Sequence, residues 1–256
     1  MKTLLAFLLV SCLFHNPALA QTRSSVFSPE VRDSFAIYIT IISRMDTSKP
    51  VRYFYYLDAG IKSGAELRRQ VSGLDPALTE NKVFVGIAHM GNFHQKRRRD
   101  FIPPHAAIAD ERADLFYAFL VKTLIPGIEA KYGAAASRSL MGHSFGGLFV
   151  FYSMLREDRV FTKFFSLSPS LWVNRYAVFE QETSVHDRTE SLPVFLYLSA
   201  GTAEKLNDIL EGARRMKARL GERNYRGLRF AYEEHAGKGH NSQVPRSIGA
   251  LLLFPD

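Results

Sequence analysis

The sequence has 256 residues, a net charge of +8 and 46% hydrophobic residues, enough apolar material for one sizeable core. Its basic residues are scattered and accompany no DNA- or RNA-binding motif, so the charge reads as a basic solvated surface and no nucleic-acid partner is expected. The single cysteine, Cys12, falls in a segment read as a removable leader, which excludes disulfides, thiol catalysis and cysteine-held metals from the remainder.

That leader spans residues 1–20. Lys2 supplies a positive start, residues 3–14 an apolar run, and Ala18-Leu19-Ala20 a small-residue cleavage site before Gln21. The run is too short for an ordinary membrane-spanning helix. Leu9-Val10-Ser11-Cys12 loosely matches a lipoprotein box, but Cys12 comes early and apolar residues continue past it. The expectation is cleavage after Ala20, a single domain over residues 21–256, no integral membrane segment, and a periplasmic or secreted location.

Residues 35–42 alternate and are rich in β-branched side chains, which predicts a strand. A second strand covers residues 52–57 and ends at Asp58-Ala59-Gly60. The unbroken apolar run at residues 83–88 marks a strand buried on both faces. Residues 110–132 carry helical spacing through Leu115, Phe116, Phe119, Leu120 and Ile128, with a kink expected at Pro126. Further strands are predicted at 137–141, 164–168, 194–199 and 228–232, and helices at 148–155, 203–220 and 248–253. Strands alternating with helices imply a mostly parallel sheet covered on both faces, with ligands at the carboxyl ends of its strands.

The chemistry centres on Gly142-His143-Ser144-Phe145-Gly146, a G-x-S-x-G pattern between a short strand and an apolar helix. That context makes it a nucleophile elbow, in which Ser144 is lifted on a strained turn and the helix N-terminus aims N–H groups at developing negative charge. Gly142 and Gly146 are expected to let strand and helix approach closely. The backbone N–H of Phe145 is one expected oxyanion donor; the other comes from the loop Asp58-Ala59-Gly60, through Ala59 or Gly60.

A serine hydroxyl needs a base. In the α/β-hydrolase order the histidine follows nucleophile and acid, which discards His89, His94, His105 and His143, while His186 precedes a strand. His235 and His240 remain, and the glycine-bearing loop Gly237-Lys238-Gly239-His240 gives His240 the longer reach. The acid should follow a late strand. Glu180 is too remote from its strand and Asp187 lies at the wrong edge, which leaves Glu204 and Asp208. Glu204 is preferred for its closeness to the strand end, and a Ser–His dyad without an acid is the further alternative.

Together these residues resemble the putative esterase family of α/β-hydrolases, which includes enterochelin-type trilactone esterases, esterase D and mycolyltransferases. The resemblance covers nearly the whole chain after the leader. It is carried by Tyr56-Leu57-Asp58, Arg99-Asp100-Phe101-Ile102-Pro103, Gly142 to Gly147, Ser168-Pro169-Ser170-Leu171-Trp172 and Gly239-His240-Asn241-Ser242. Its siderophore-esterase branch implies that Arg99 and Trp172 line the substrate cleft. One departure is that Asp58-Ala59 stands where the family usually reads Asp-Gly. The implied function is an exported serine hydrolase cleaving carboxylic esters on Ser144, with a small-molecule ester as partner and no cofactor or metal. An acyltransferase on the same site, or a silent binding protein on the scaffold, are the alternatives.

Overall fold

Every segment read as a strand enters one sheet. In the computed structural model, which describes residues 20–46, 48–104, 111–205 and 208–252, the strands are β1 (Ala20–Ser28), β2 (Asp33–Ile41), β3 (Val51–Tyr56), β4 (Lys82–His89), β5 (Ala135–His143), β6 (Lys163–Leu167), β7 (Phe195–Gly201) and β8 (Arg229–His235). Their order is β1-β2-β4-β3-β5-β6-β7-β8. The β1–β2 and β2–β4 pairs are antiparallel, and all pairs from β4 onward are parallel. The proposed leader, apart from Ala20, lies outside the described residues. No helix among the described residues is long and apolar enough to cross a membrane.

The helices are α1 (Lys62–Ser72), α2 (Phe93–Phe101), α3 (Ala113–Phe119), α4 (Ile125–Tyr132), α5 (Phe145–Met154), α6 (Val173–Arg188), α7 (Ile209–Arg223) and α8 (Val244–Leu252). Alternation along the central strands sends side chains to two separate cores, because successive residues of a strand face opposite sides. Tyr53, Tyr55, Val83, Val85 and Leu196 join a core with Phe116, Phe149 and Met216 from α3, α5 and α7. Tyr56, Phe84, Phe165 and Tyr197 join the opposite core with Leu67 and Val71 of α1 and Val244 and Ile248 of α8. The result is the α/β-hydrolase arrangement: a mostly parallel sheet with helices on both faces.

Three departures from the sequence reading have physical causes. Strand β1 is mostly polar, and its pattern gives no core face; it forms by adding to the outer edge of β2, from Ala20 opposite Ile41 to Ser28 opposite Asp33. The expected kink at Pro126 is a π turn over Leu120–Leu124, where the N–H of Ile125 reaches back to the carbonyl of Leu120. Proline lacks an N–H and crowds the preceding turn, and the wider turn absorbs both effects. Helix α7 begins at Ile209 rather than Ala203. The N–H of Ala203 instead donates to the carbonyl of Lys238 at 2.9 Å, tying this segment to the loop that carries His240.

Helix α2, which carries Arg97-Arg98-Arg99, is not among the predicted helices. At about 100° per residue, consecutive arginines cannot share a face. Arg98 is exposed, while Arg97 and Arg99 turn inward onto carboxylates.

Candidate active site

Ser144 follows β5 and precedes α5 with φ 62° and ψ −117°, a conformation costly for a residue with a side chain. The surroundings hold it there. Its N–H donates to the carbonyl of Leu167 at 3.0 Å, and its carbonyl accepts from Leu148 and from Ser170. Helix α5 behind it is buried from Gly146 to Met154, so the elbow rests on a rigid core element. Gly142 is obligatory: a Cβ there would stand 2.2 Å from the carbonyl oxygen of Gly146. Gly146 itself is less constrained, since its added Cβ would make only ordinary contacts, the nearest 3.4 Å from Asp58.

His240 is brought to this elbow through its neighbour His143. The His143 ring is buried, its Nε2 lies 2.9 Å from the carbonyl oxygen of His240, and the two imidazoles are 4.4 Å apart. A carbonyl only accepts, so Nε2 of His143 carries the proton and donates. Burial first, then the charges of His240 and Arg97, push the His143 pKa down to about 3, which keeps the ring neutral. Sequence order set His143 aside as a base, and its role as a strut for the His240 loop carries no sequence signal.

On its other side, His240 Nδ1 lies 3.1 Å from Oε2 of Glu204, whose side chain is 1% exposed. A proton on Nδ1, donated to the carboxylate, leaves the Nε2 lone pair free to act as a base. Glu204 is itself held by the hydroxyl of Ser168 and, at 3.4 Å, by the N–H of Gly201. A Cβ on Gly201 would meet the carbonyl oxygen of Lys238 at 1.9 Å, so this glycine is what allows the acid segment and the histidine loop to touch. The competing residues are engaged elsewhere. Asp208 accepts from the hydroxyl of Tyr176 at 3.1 Å, and His235 ends β8 with Nε2 2.8 Å from the hydroxyl of Ser247. Burial also lowers the pKa of His235.

The Asp58 loop needs a correction. The N–H of Ala59 donates to the carbonyl of Ile87 at 3.0 Å, and its carbonyl accepts from Arg68, so Ala59 offers no oxyanion donor. Ile61 N–H is likewise used, by the carbonyl of Asp58 at 3.1 Å. Among the described residues, Gly60 N–H makes no such bond and remains the candidate beside Phe145 N–H at the start of α5. Asp58 has φ 58°, is 1% exposed, and is gripped by Arg97 through contacts of 2.8, 2.9 and 2.8 Å. Arg97 also donates to the carbonyl of His143 at 2.6 Å, so one guanidinium joins the oxyanion loop to the elbow. Removing one partner from so buried a pair typically costs about 3–5 kcal/mol.

Arg99 is held by two carboxylates. Its guanidinium contacts Asp100 at 2.6 and 2.8 Å and Asp33 at 3.1 Å. Two carboxylates balance its charge, and of the two inward-turned arginines it is Arg97 that reaches the elbow, through the carbonyl of His143. Trp172 does stand by the elbow, its ring 6.5 Å from that of Phe145, and its indole N–H is buried without a partner among the described residues. A cleft of about 630 Å³ opens beside the histidine pair, lined by Ile61, Lys62 and Glu66 of the α1 side, His143, and Asn241 and Val244 of the α8 side. This volume suits a small molecule. Among the described residues no group of three His, Cys, Asp or Glu is gathered as a metal site.

Fold and site define an α/β-hydrolase with a serine, a histidine and a carboxylate gathered at the carboxyl edge of a mostly parallel sheet. The chain belongs to the esterase family described as "Putative esterase", whose model matches residues 50–243. It is 28% identical over 254 residues to the ferri-bacillibactin esterase BesA of Bacillus subtilis, covering 87% of this chain and 86% of that one. Among solved structures it resembles the BES protein of Bacillus cereus, with a TM-score of 0.77 and 21% identity over 98% of this chain and 97% of the other. The siderophore hydrolase EstB of Aspergillus nidulans superposes with a TM-score of 0.69 and 18% identity, over 98% and 96% of the two chains. These likenesses make the chain an ester hydrolase of this family.

Proposed function

We propose that this protein is an exported serine hydrolase that cleaves carboxylic esters of the siderophore-trilactone class through an acyl-enzyme on Ser144. The observation that carries the reading is the hydrogen bond from His240 Nδ1 to the buried Glu204, formed beside a serine held at φ 62° on the elbow. In the reaction, His240 Nε2 takes the Ser144 proton as Oγ attacks the ester carbonyl. The tetrahedral oxyanion is held by the N–H groups of Phe145 and Gly60. His240 then protonates the leaving alcohol, and water, activated by the same imidazole, releases the acid. The substrate class is supported by the names of two similar proteins, a ferri-bacillibactin esterase and a siderophore hydrolase.

The test has two parts. A fluorophosphonate should modify the purified protein at Ser144, as located by peptide mapping, and labelling should vanish in Ser144→Ala. Turnover should be greater on a trilactone than on short-chain or aryl esters; preference for the simple esters would overturn the substrate class while leaving the hydrolase intact. Export is supported by the leader pattern at residues 1–20, and cleavage there leaves Gln21 to begin the edge strand. N-terminal sequencing should therefore read Gln21, and an acylated Cys12 would make the protein a lipoprotein instead.

A further inference from the structure

Ser170 carries a hydroxyl that the mechanism above leaves without a task. It follows Pro169 beyond the end of β6, is 2% exposed, and its Oγ lies 3.3 Å from Oγ of Ser144. Its backbone is fixed as well. The N–H of Ser170 donates to the Ser144 carbonyl at 3.1 Å, and its carbonyl accepts from Val173 at 3.3 Å. Pro169 packs on α5 so closely that a Cβ on Gly147 would come within 3.0 Å of it. The second hydroxyl is therefore held against the nucleophile by rigid neighbours.

Distance alone does not say which oxygen donates; proton bookkeeping does. Among the described residues Ser144 is the only hydrogen-bond partner of the Ser170 hydroxyl. A buried O–H without an acceptor is costly, so its proton points at Ser144. Ser144 has one proton, and catalysis needs that proton on the line to His240. Both demands are met only when Ser170 donates and Ser144 accepts.

We infer that Ser170 is a second catalytic hydroxyl, donating a hydrogen bond to Ser144 Oγ in both halves of the reaction. This rests on Ser144 being the nucleophile and His240 its base. In the attack, the Ser144 O–H bond breaks and its proton passes to His240 Nε2. The Oγ electron pair forms the bond to carbon, and the carbonyl π pair moves to the oxyanion. The O–H bond of Ser170 stays intact; its donation eases the partial negative charge on Oγ while the proton is leaving. In deacylation the same donation supports Oγ as the leaving oxygen, until His240 returns a proton to it.

The experiment measures the second-order rate of fluorophosphonate labelling across pH for the wild type, Ser170→Ala, Ser170→Cys and Ser144→Ala, with melting temperature as a fold control. A donor to an oxygen bearing charge is strong, so Ser170→Ala should label about 10- to 100-fold more slowly. The pH midpoint of the rate should stay in place, because His240 and Glu204 are untouched. Ser170→Cys keeps nearly the same size with a weak donor, and should slow labelling in the same direction even if the alanine variant proves unstable. A wild-type or faster rate in a folded variant overturns the inference, since that is the result if Ser144 were donating to Ser170. A slower rate with a displaced pH midpoint also overturns it, because it would show Ser170 only supporting the loop. Labelling that persists in Ser144→Ala would instead strike at the nucleophile assignment itself.

Discussion

His240→Ala is expected to lower ester turnover by about 10²–10⁴-fold while His235→Ala retains most of it. The two histidines stand five residues apart and both follow the last predicted strand, residues 228–232, so the contrast tests the geometry rather than the composition. His240 rides a loop braced by His143 Nε2 and reaches Glu204 through Nδ1, which leaves Nε2 for the serine. His235 is the last residue of β8, buried, with its ring bonded to Ser247. Losing it should cost stability, typically about 1–3 kcal/mol for a buried hydrogen-bonded group, without removing the base. Among the described residues no hydrogen bond joins Ser144 to His240, and such contacts commonly tighten only when substrate is bound. Steady-state turnover with a melting curve for each variant separates the two roles. A dead His235→Ala enzyme with an unshifted melting curve, beside an active His240→Ala enzyme, would reverse the assignment.

Glu204→Gln is the second large effect, an expected loss of about 10²–10⁴-fold in turnover with substrate affinity little changed. The carboxylate holds the proton on Nδ1 and stabilises the imidazolium that forms during attack. Glutamine keeps the size and can present an N–H to Nδ1, which selects the wrong tautomer. The second carboxylate oxygen accepts from Ser168, so the acid is clamped at both ends. Asp208→Asn should be nearly silent, because Asp208 sits before α7 and accepts from Tyr176 at 3.1 Å. Equal, small losses in both variants would mean that serine and histidine act as a dyad. A large loss in Asp208→Asn alone would transfer the role.

Strands β2 to β8 were legible because strands with a buried face leave apolar or alternating runs; the polar edge strand β1 left none. The elbow was legible because Gly142 and Ser144 answer to local backbone demands. Glu204 could be reached by placing it after β7, since a carboxylate there lies at the carboxyl edge of the sheet. The N–H accounting of the oxyanion loop was not legible. Ala59 looked as eligible as Gly60, and only the pairing of its N–H with Ile87 removes it. Arg97 and Arg99 are indistinguishable in a run of three arginines until helical rotation sends one to Asp58 and the other to Asp100 and Asp33.

By itself, then, the sequence determined where β2 to β8 and the helices α3, α4, α5, α7 and α8 lie along the chain, the elbow around Ser144, and the short candidate lists for base and acid; β1, α1, α2 and α6 it did not mark. Those features depend on residue type and near-neighbour spacing, which burial periodicity and backbone sterics read directly. Tertiary structure decided the rest: His143 as the strut of His240, Ser168 as the clamp on Glu204, Arg97 as the tie between Asp58 and the elbow, and Ser170 against Ser144. Each of those joins residues between 26 and 97 positions apart. Hydrogen bonds over such separations are set by how parallel strands bring their carboxyl ends into one row, and local sequence carries no record of it.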